Sequence, residues 1–341
     1  MATPAQAHTS VPPSAQVLQM AFGYQLARSV YMAAKLGIAD LLRNGAKSAD
    51  DLAAATGCNA DALYRMLRAL ASVGMFSEGD ARNFELTALA QPLRSDVPDS
   101  IRAMVLFAGN QLHWTVYGEF EHCLATGKNA VEKAFGMAPF EYIVSHPEDA
   151  KIFNDAMRSH SGMSIPAIVE GYDYSQFECI ADIAGGQGHL LAALLSEHQR
   201  TKGILFDLPE AIEDAKRVNL LPNPRAELIE GDFFKSVPTG ADAYILKHII
   251  HDWADTEAIQ ILRNCREAIP DSGKLLVVEM MLPGRNEPGF AKFLDLEMLV
   301  IPGGRERTAE EYAALLEAAG FRLNQVIATR SPIGIFEATP V

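Results

Sequence analysis

Only four cysteines occur in 341 residues, at positions 58, 123, 179 and 265. None forms a Cys-x-x-Cys pair, so the chain carries neither a disulfide framework nor a zinc cage, and a reducing cytoplasm suits it. It also lacks any uninterrupted apolar run near the roughly 20 residues that a bilayer demands. Positive charge is scarce: 29 Lys and Arg stand against 43 Asp and Glu, a net -14. A phosphate backbone is repelled by that balance, which argues against nucleic acid as a partner. Residues 1–16 are rich in Ala, Pro, Ser and Thr but have no basic n-region and no apolar h-region, so they read as a mobile arm rather than a secretory signal.

What is present is an ordinary globular composition, 49% hydrophobic and 21% charged, in a chain long enough for two domains. Apolar residues recur at helical spacing from Val17 to Leu42, and Asn44-Gly45 ends that run. Ser48 with Asp51 three residues on resembles a capping box, and Asn59 can cap a helix whose Leu63, Met66, Leu67 and Leu70 form a one-sided stripe. Met75 to Ala90 alternates around Gly79-Asp80, as a small hairpin does. Together these elements describe a winged-helix-like domain over residues 17–110. Its charge is wrong for DNA: the first 100 residues hold eight basic and nine acidic side chains, and the hairpin sets Glu78, Asp80 and Glu85 against Arg82 alone. A module that packs on a second copy is the better reading, since the apolar first helix needs a cover.

Residues 111–175 stay helical in pattern. From Cys179 on, short apolar strands alternate with amphipathic helices, a pattern that predicts an α/β, doubly wound parallel sheet over residues 176–341 with ligands at the carboxyl ends of its strands. The first strand, Ile180 to Ile183, leads into Ala184-Gly185-Gly186-Gln187-Gly188. A dinucleotide frame here would place Leu191 where a small residue is needed, which disfavours NAD, and no Gly-x-x-x-x-Gly-Lys-Ser/Thr string exists for a nucleoside triphosphate. What remains is Asp182 on the first strand, a glycine loop, and acids closing the next two strands, Asp207 and Asp232. S-adenosylmethionine fits that set. It has no pyrophosphate, so the loop need only let backbone approach the methionine and ribose. Asp207, 19 residues beyond Gly188, would accept from the ribose hydroxyls, and Asp232 and Phe233 would flank the adenine.

Nearly the whole chain resembles the class I S-adenosylmethionine-dependent small-molecule O-methyltransferases. The resemblance is carried by Ala33-Ala34-Lys35-Leu36-Gly37-Ile38, Phe153-Asn154-x-Ala156-Met157, the glycine loop, Asp207-Leu208-Pro209, Gly231-Asp232-Phe233-Phe234, Lys247-x-x-x-His251-Asp252-Trp253, Glu279-x-x-Leu282-Pro283 and Gly303-Gly304-Arg305-Glu306-Arg307-Thr308. It implies a Rossmann-like catalytic domain with a C-terminal antiparallel strand, behind a helical domain that forms a homodimer, the 111–175 segment contributing to the acceptor pocket. It implies His251 as general base, bracketed by Glu279 and Glu306. The cofactor set it implies is Asp182, Gly185, Gly186, Gly188, Asp207, Leu208, Gly231, Asp232, Phe233 and Lys247. Acceptor contacts fall to Phe153, Met157, Asp252 and Met298, with His113 and Trp114 beside them. Ala184 departs from the family's usual glycine, a small cost provided its φ is negative.

His248 stands three residues before His251, so a metal pair was weighed; without an evident third ligand, and with metal-free relatives, none is expected. An imidazole base predicts a rate that rises through roughly pH 6 to 7. Leu299-Val300-Ile301 is shorter and less polar than the plant phenylpropanoid enzymes carry, so the acceptor is read as a phenolic, polyketide or phenazine-like ring rather than a lignin precursor. Two alternatives stand beside this reading: the same cofactor used for N-methylation or for polyketide hydroxylation or decarboxylation, and a noncatalytic winged-helix regulator.

Overall fold

A computed structural model of the chain describes residues 11–341. Most of the expected mobile arm, residues 1–10, lies outside the described residues. From Pro13 on the arm is helical, because Pro13 opens α1 (Pro13–Ala21) from the first helical position, where its missing N–H leaves nothing unpaired. The chain divides into two compact units, the first ending at His113 and the second running from Trp114 to Val341.

In the first unit the single helical run expected over 17–42 is three helices, α1, α2 (Gly23–Lys35) and α3 (Ile38–Leu42). Gly37 makes the second break at φ 66°, a left-handed turn that costs glycine nothing. Strand β1 (Lys47–Ser48) precedes α4 (Ala49–Thr56), where the Asp51 N–H donates to Ser48 Oγ at 3.1 Å. The Asp51 carboxylate reaches only the Ser48 hydroxyl, at 2.7 Å, so the expected capping box is half closed; Glu would have the extra methylene. Asn59 caps α5 (Ala60–Ser72) through the Ala62 N–H. Strands β2 (Phe76–Glu78) and β3 (Asn83–Leu86) form the expected hairpin, and β1 adds to it in the order β1-β3-β2. Leu63, Leu67 and Leu70 of α5 pack with Ile38, Leu42, Leu52, Phe76 and Phe84 in one core, and α6 (Arg102–Ala108) follows. Helix α1 buries no residue at all, and Val17, Leu18, Met20, Phe22, Tyr24 and Leu26 are exposed.

The segment 111–175 is helical, as expected: α7 (Gln111–Gly118), α8 (Phe120–Thr126), α9 (Ala130–Phe135), α10 (Pro139–Ser145) and the long α11 (Pro147–Gly171). Seven strands follow, β4 (Cys179–Ile183), β5 (Lys202–Asp207), β6 (Ala226–Glu230), β7 (Ala243–Lys247), β8 (Lys274–Met280), β9 (Phe321–Ala328) and β10 (Ile333–Pro340), in the order β6-β5-β4-β7-β8-β10-β9. Strands β4 to β8 pair in parallel, and β10 runs antiparallel between β8 and β9. Period-two alternation sorts the strands between two cores. Leu205 and Ile245 join Leu191 of α12 (His189–Glu197) and Ile212 of α13 (Pro209–Val218). Ile204, Phe206 and Leu246 join Leu262 of α14 (Asp255–Ala268) and Leu316 of α16 (Ala309–Ala318). Between them in sequence, α15 (Ala291–Val300) precedes the segment that carries Glu306.

The strand order reverses direction between β4 and β7, and the carboxyl ends of that pair are where an open α/β sheet leaves room for a ligand. The glycine loop leaves β4, and Lys247 closes β7. No helix among the described residues is long and apolar enough to cross a membrane.

Candidate active site

Three positions in the glycine loop take left-handed backbone: Ala184 at φ 56°, Gly186 at 60° and Gly188 at 80°. The condition set for Ala184 is therefore not met, and its Cβ costs roughly 1–2 kcal/mol there; its N–H is held by the Phe206 carbonyl at 2.7 Å. Gly185 is required for space, since a Cβ would lie 2.6 Å from both Asp182 Cγ and Leu205 Cδ1. The loop thus rests on Asp182, whose buried carboxyl is pushed up to about 7 by loss of water, against the pull of Lys247.

Asp207 takes one backbone N–H on each oxygen, Gly186 at 2.8 Å and Leu208 at 2.7 Å, which leaves each oxygen a lone pair for an outside donor. Burial raises its pKa and those two N–H groups lower it. Gly231 donates to the Asp207 carbonyl, and a Cβ there would strike the Phe206 ring at 2.3 Å. Asp232 accepts from the Phe234 N–H at 2.9 Å, while Phe233 meets Trp253 edge-on at 6.0 Å. Lys247 is half-buried and donates to Ser161 Oγ of α11 at 3.0 Å; loss of water lowers its pKa, and Asp182 and Glu279 oppose that. A short loop, charged acceptors at successive strand ends and one partly screened ammonium are what a cofactor with an amino acid end and a ribose requires.

The second half of the site is the turn after β7. Glu279 is wholly buried on β8, and its Oε1 gathers the backbone N–H groups of Ile249, Ile250 and His251 at 3.2, 3.0 and 3.3 Å. The ring of His251 is oriented by a different residue: its Nδ1 lies 2.7 Å from Glu306 Oε1 and 3.5 Å from Glu279 Oε2. Its Nε2 faces Asp252 Oδ1 at 3.5 Å. Burial disfavours charge on this ring, but Glu279, Asp252 and Glu306 outweigh it and push the pKa up to about 10. The sequence predicts an imidazole titrating at 6 to 7; two buried glutamates and the partly exposed Asp252 explain the difference. Burial raises two of those carboxyls in turn, Glu279 to about 7 and Asp252 to about 6, with His251 pulling both down.

The neighbours of Glu306 in the 303–308 motif do work that no local sequence signal marks. A Cβ on Gly304 would sit 2.0 Å from the His251 carbonyl oxygen, so the two backbones touch there. The Arg305 N–H donates to that carbonyl at 2.8 Å. Arg307, fully buried, donates to the carbonyls of Ile250 and Trp253 and to Asp255. Asp295 of α15 accepts from the Glu306 N–H at 2.8 Å, and the Met298 carbonyl accepts from Gly303. Donor atoms of His248, His251 and Glu279 lie within 4.8 Å of one another, close enough to share a cation, though a cation bound there would occupy the His251 ring.

Among the acceptor candidates, Met298 is buried at the end of α15, and Phe153 and Met157 are half-buried four residues apart on α11, hence on one face. Trp114 is partly exposed at the start of the second unit. His113 belongs to the first unit, where it is buried, faces Asn110 Oδ1 through its Nδ1 at 2.9 Å and packs edge-on against Phe107.

Residues 117–322 match the O-methyltransferase domain family and residues 18–96 the O-methyltransferase dimerisation domain, so the chain belongs to this family and carries its dimerisation module. It is 44% identical to a phenazine O-methyltransferase of Lysobacter antibioticus, over 97% of this chain and 98% of that one. It is 30% identical to a phenazine-1-carboxylate N-methyltransferase of Pseudomonas aeruginosa, over 94% and 95%. The structure superposes with TM-score 0.86 on a methyltransferase of calicheamicin biosynthesis solved with S-adenosylhomocysteine, 33% identical over 97% of this chain and all of that one. The protein is an S-adenosylmethionine-dependent methyltransferase. Because its Cβ meets backbone rather than a flexible side chain, Gly304→Ala should displace the His251 turn and lower turnover by about 10²-fold while S-adenosylhomocysteine still binds, as calorimetry beside steady-state kinetics will show.

Proposed function

We propose that the chain transfers the methyl group to a hydroxyl of a flat aromatic small molecule of phenazine-like type, in secondary metabolism, with His251 as general base. The 2.7 Å contact between His251 Nδ1 and Glu306 carries the proposal. A carboxylate there fixes the tautomer with the proton on Nδ1, so the free lone pair falls on Nε2. The cofactor supplies an electrophilic methyl group on a sulfonium. Everything else falls to the chain's own residues. Gly185, Gly186 and Gly188, with Asp182 and Lys247, bind the methionine end; Asp207 and Leu208 bind the ribose; Gly231, Asp232 and Phe233 bound the adenine. Phe153, Met157 and Met298 offer flat, adaptable apolar walls to an aromatic ring, and Asp252 sits beside the reacting nitrogen. His251 Nε2 takes the proton of the acceptor hydroxyl, and Glu279, Glu306 and Asp252 stabilise the imidazolium that forms.

The identity to a phenazine O-methyltransferase supports the acceptor class. N-methylation is the second reading, favoured by the N-methyltransferase relative, and the built base argues against it. Assembly is proposed as a homodimer in the cytoplasm: the exposed apolar residues from Val17 to Leu26 need a cover, and the matched dimerisation module supplies the means.

Three measurements test this. Asp207→Ala should abolish the rise in thermal midpoint that S-adenosylhomocysteine produces, about 2.7 kcal/mol at 100 times its dissociation constant in the parent chain; unchanged affinity would reject the ribose assignment. Light scattering at micromolar concentration should give the mass of two chains, and a single-chain mass would contradict the homodimer. With a monohydroxyphenazine acceptor, His251→Gln should lower turnover by about 10²–10⁴-fold with cofactor affinity intact. Only the neutral ring accepts a proton, and its pKa is raised, so activity should climb with pH through a limb above 7 that the variant lacks. A wild-type rate in the variant, with chemistry rate-limiting, would remove His251 from the mechanism.

A further inference from the structure

His248 was set aside in the sequence as half of a metal pair without a third ligand, yet its placement is too specific for a bystander. The residue follows Lys247 at φ 55°, left-handed backbone that a histidine adopts at a cost of roughly 1–2 kcal/mol. Its N–H is tied to the Val278 carbonyl on β8 at 3.1 Å, and this turn brings its Nδ1 to 3.3 Å from Glu279 Oε2. Glu279 Oε1 is already taken by three backbone N–H groups. Oε2 is therefore the oxygen left for side chains, and two imidazoles address it: His248 at 3.3 Å and His251 at 3.5 Å, with ring centres 5.2 Å apart.

We propose that His248 is a positioning residue for the base: by occupying one side of Glu279 Oε2 it limits the negative charge that His251 meets, and so lets the His251 ring release its proton. The inference rests on His251 being the base. The physical need is plain. Glu279 from β8, Glu306 from the segment before α16 and Asp252 from the turn itself all favour the imidazolium, and a ring held permanently protonated takes no proton from a hydroxyl. The other charged groups at the cluster are committed elsewhere: Arg307 to the carbonyls of Ile250 and Trp253 and to Asp255, Lys247 to Ser161. Tyr312, on α16, is buried and feels both glutamates but keeps its proton. His248 is the side chain placed to share Glu279 Oε2 with the base. With Nδ1 3.3 Å from Oε2, a neutral His248 weakens the pull of Glu279 through its ring dipole, and a protonated one adds repulsion across 5.2 Å; both act in the same direction.

The test compares His248→Leu, which removes the ring dipole, with His248→Asn, which keeps a neutral polar side chain. The His251 titration midpoint is read by NMR of histidine-labelled free enzyme, assigned with His251→Gln, and retained S-adenosylhomocysteine binding by calorimetry certifies each variant as folded. His248→Leu should raise the midpoint by about 1 unit, lower kcat for a monohydroxyphenazine about tenfold at pH 7, and recover at alkaline pH. His248→Asn should stay near the parent on both measures. A midpoint that does not rise in His248→Leu overturns the proposal, as does a loss of kcat equal at every pH, which marks a merely structural role. If the midpoint rises while the parent chain itself fails to turn over the phenazine, the role of His248 stands and the acceptor reading falls.

Discussion

A carboxylate with no access to water and three backbone N–H groups on one oxygen sets the geometry of this site. Glu279 has lost its hydration entirely, a cost of several kcal/mol that only strong hydrogen bonds and a cation return. The bonds come from residues 249–251, and making them forces the chain leaving β7 into a tight turn instead of a direct run into α14. When His251 takes up a proton, its imidazolium balances that charge. The turn that carries the proposed base is thus fixed by Glu279, one of the three carboxylates, with Asp252 and Glu306, that raise its pKa.

The turn is held from its other side by backbone. Gly304 has no room for a Cβ against the His251 carbonyl, Arg305 donates to that same carbonyl, and the buried guanidinium of Arg307 closes over the carbonyls of Ile250 and Trp253. Each group satisfies an acceptor that the turn would otherwise bury unpaired. The cofactor side follows the same logic. There the loop after β4 is shaped by Asp182 and Leu205 beneath it, while Asp207 fixes Gly186 and Leu208 with one oxygen each. Both halves stand at the ends of neighbouring strands where the sheet order reverses, which lets two rigid loops face one ligand.

Much of this was legible in the residues because it depends on short-range pattern. The strands from Cys179 to Met280 announced themselves by apolar runs ending in charged residues, and the Asn59 cap and the hairpin around Asp80 are local chemistry that structure reproduces. What failed depended on backbone sign or on contacts across the fold. Nothing in the string marks Ala184 as left-handed, since alanine ordinarily avoids that region. The break between α1 and α2 falls at Phe22, directly before Gly23, a glycine that the continuous helical spacing of apolar residues on either side masks. Glu279 could be matched to a role, but its grip on a backbone turn rather than on the ring required 30 residues of separation to close. The raised pKa of His251 is likewise invisible in sequence, because it sums three carboxylates from three separate segments.

The same electrostatics bear on what the acceptor atom is. An aromatic hydroxyl holds its proton to about pH 10, so at neutral pH its oxygen is a poor nucleophile until a base removes the proton. A ring nitrogen already offers a lone pair, and a site built for it gains nothing from a nearby group that takes protons. Three carboxylates around one imidazole, two of them buried, are costly to stability, and they are useful where positive charge develops on that ring during reaction. Oxygen transfer develops such a charge and nitrogen transfer to a neutral ring atom does not. The presence of the whole cluster, with Glu306 at 2.7 Å from Nδ1, therefore supports the proposed hydroxyl acceptor in this chain even though one relative is an N-methyltransferase.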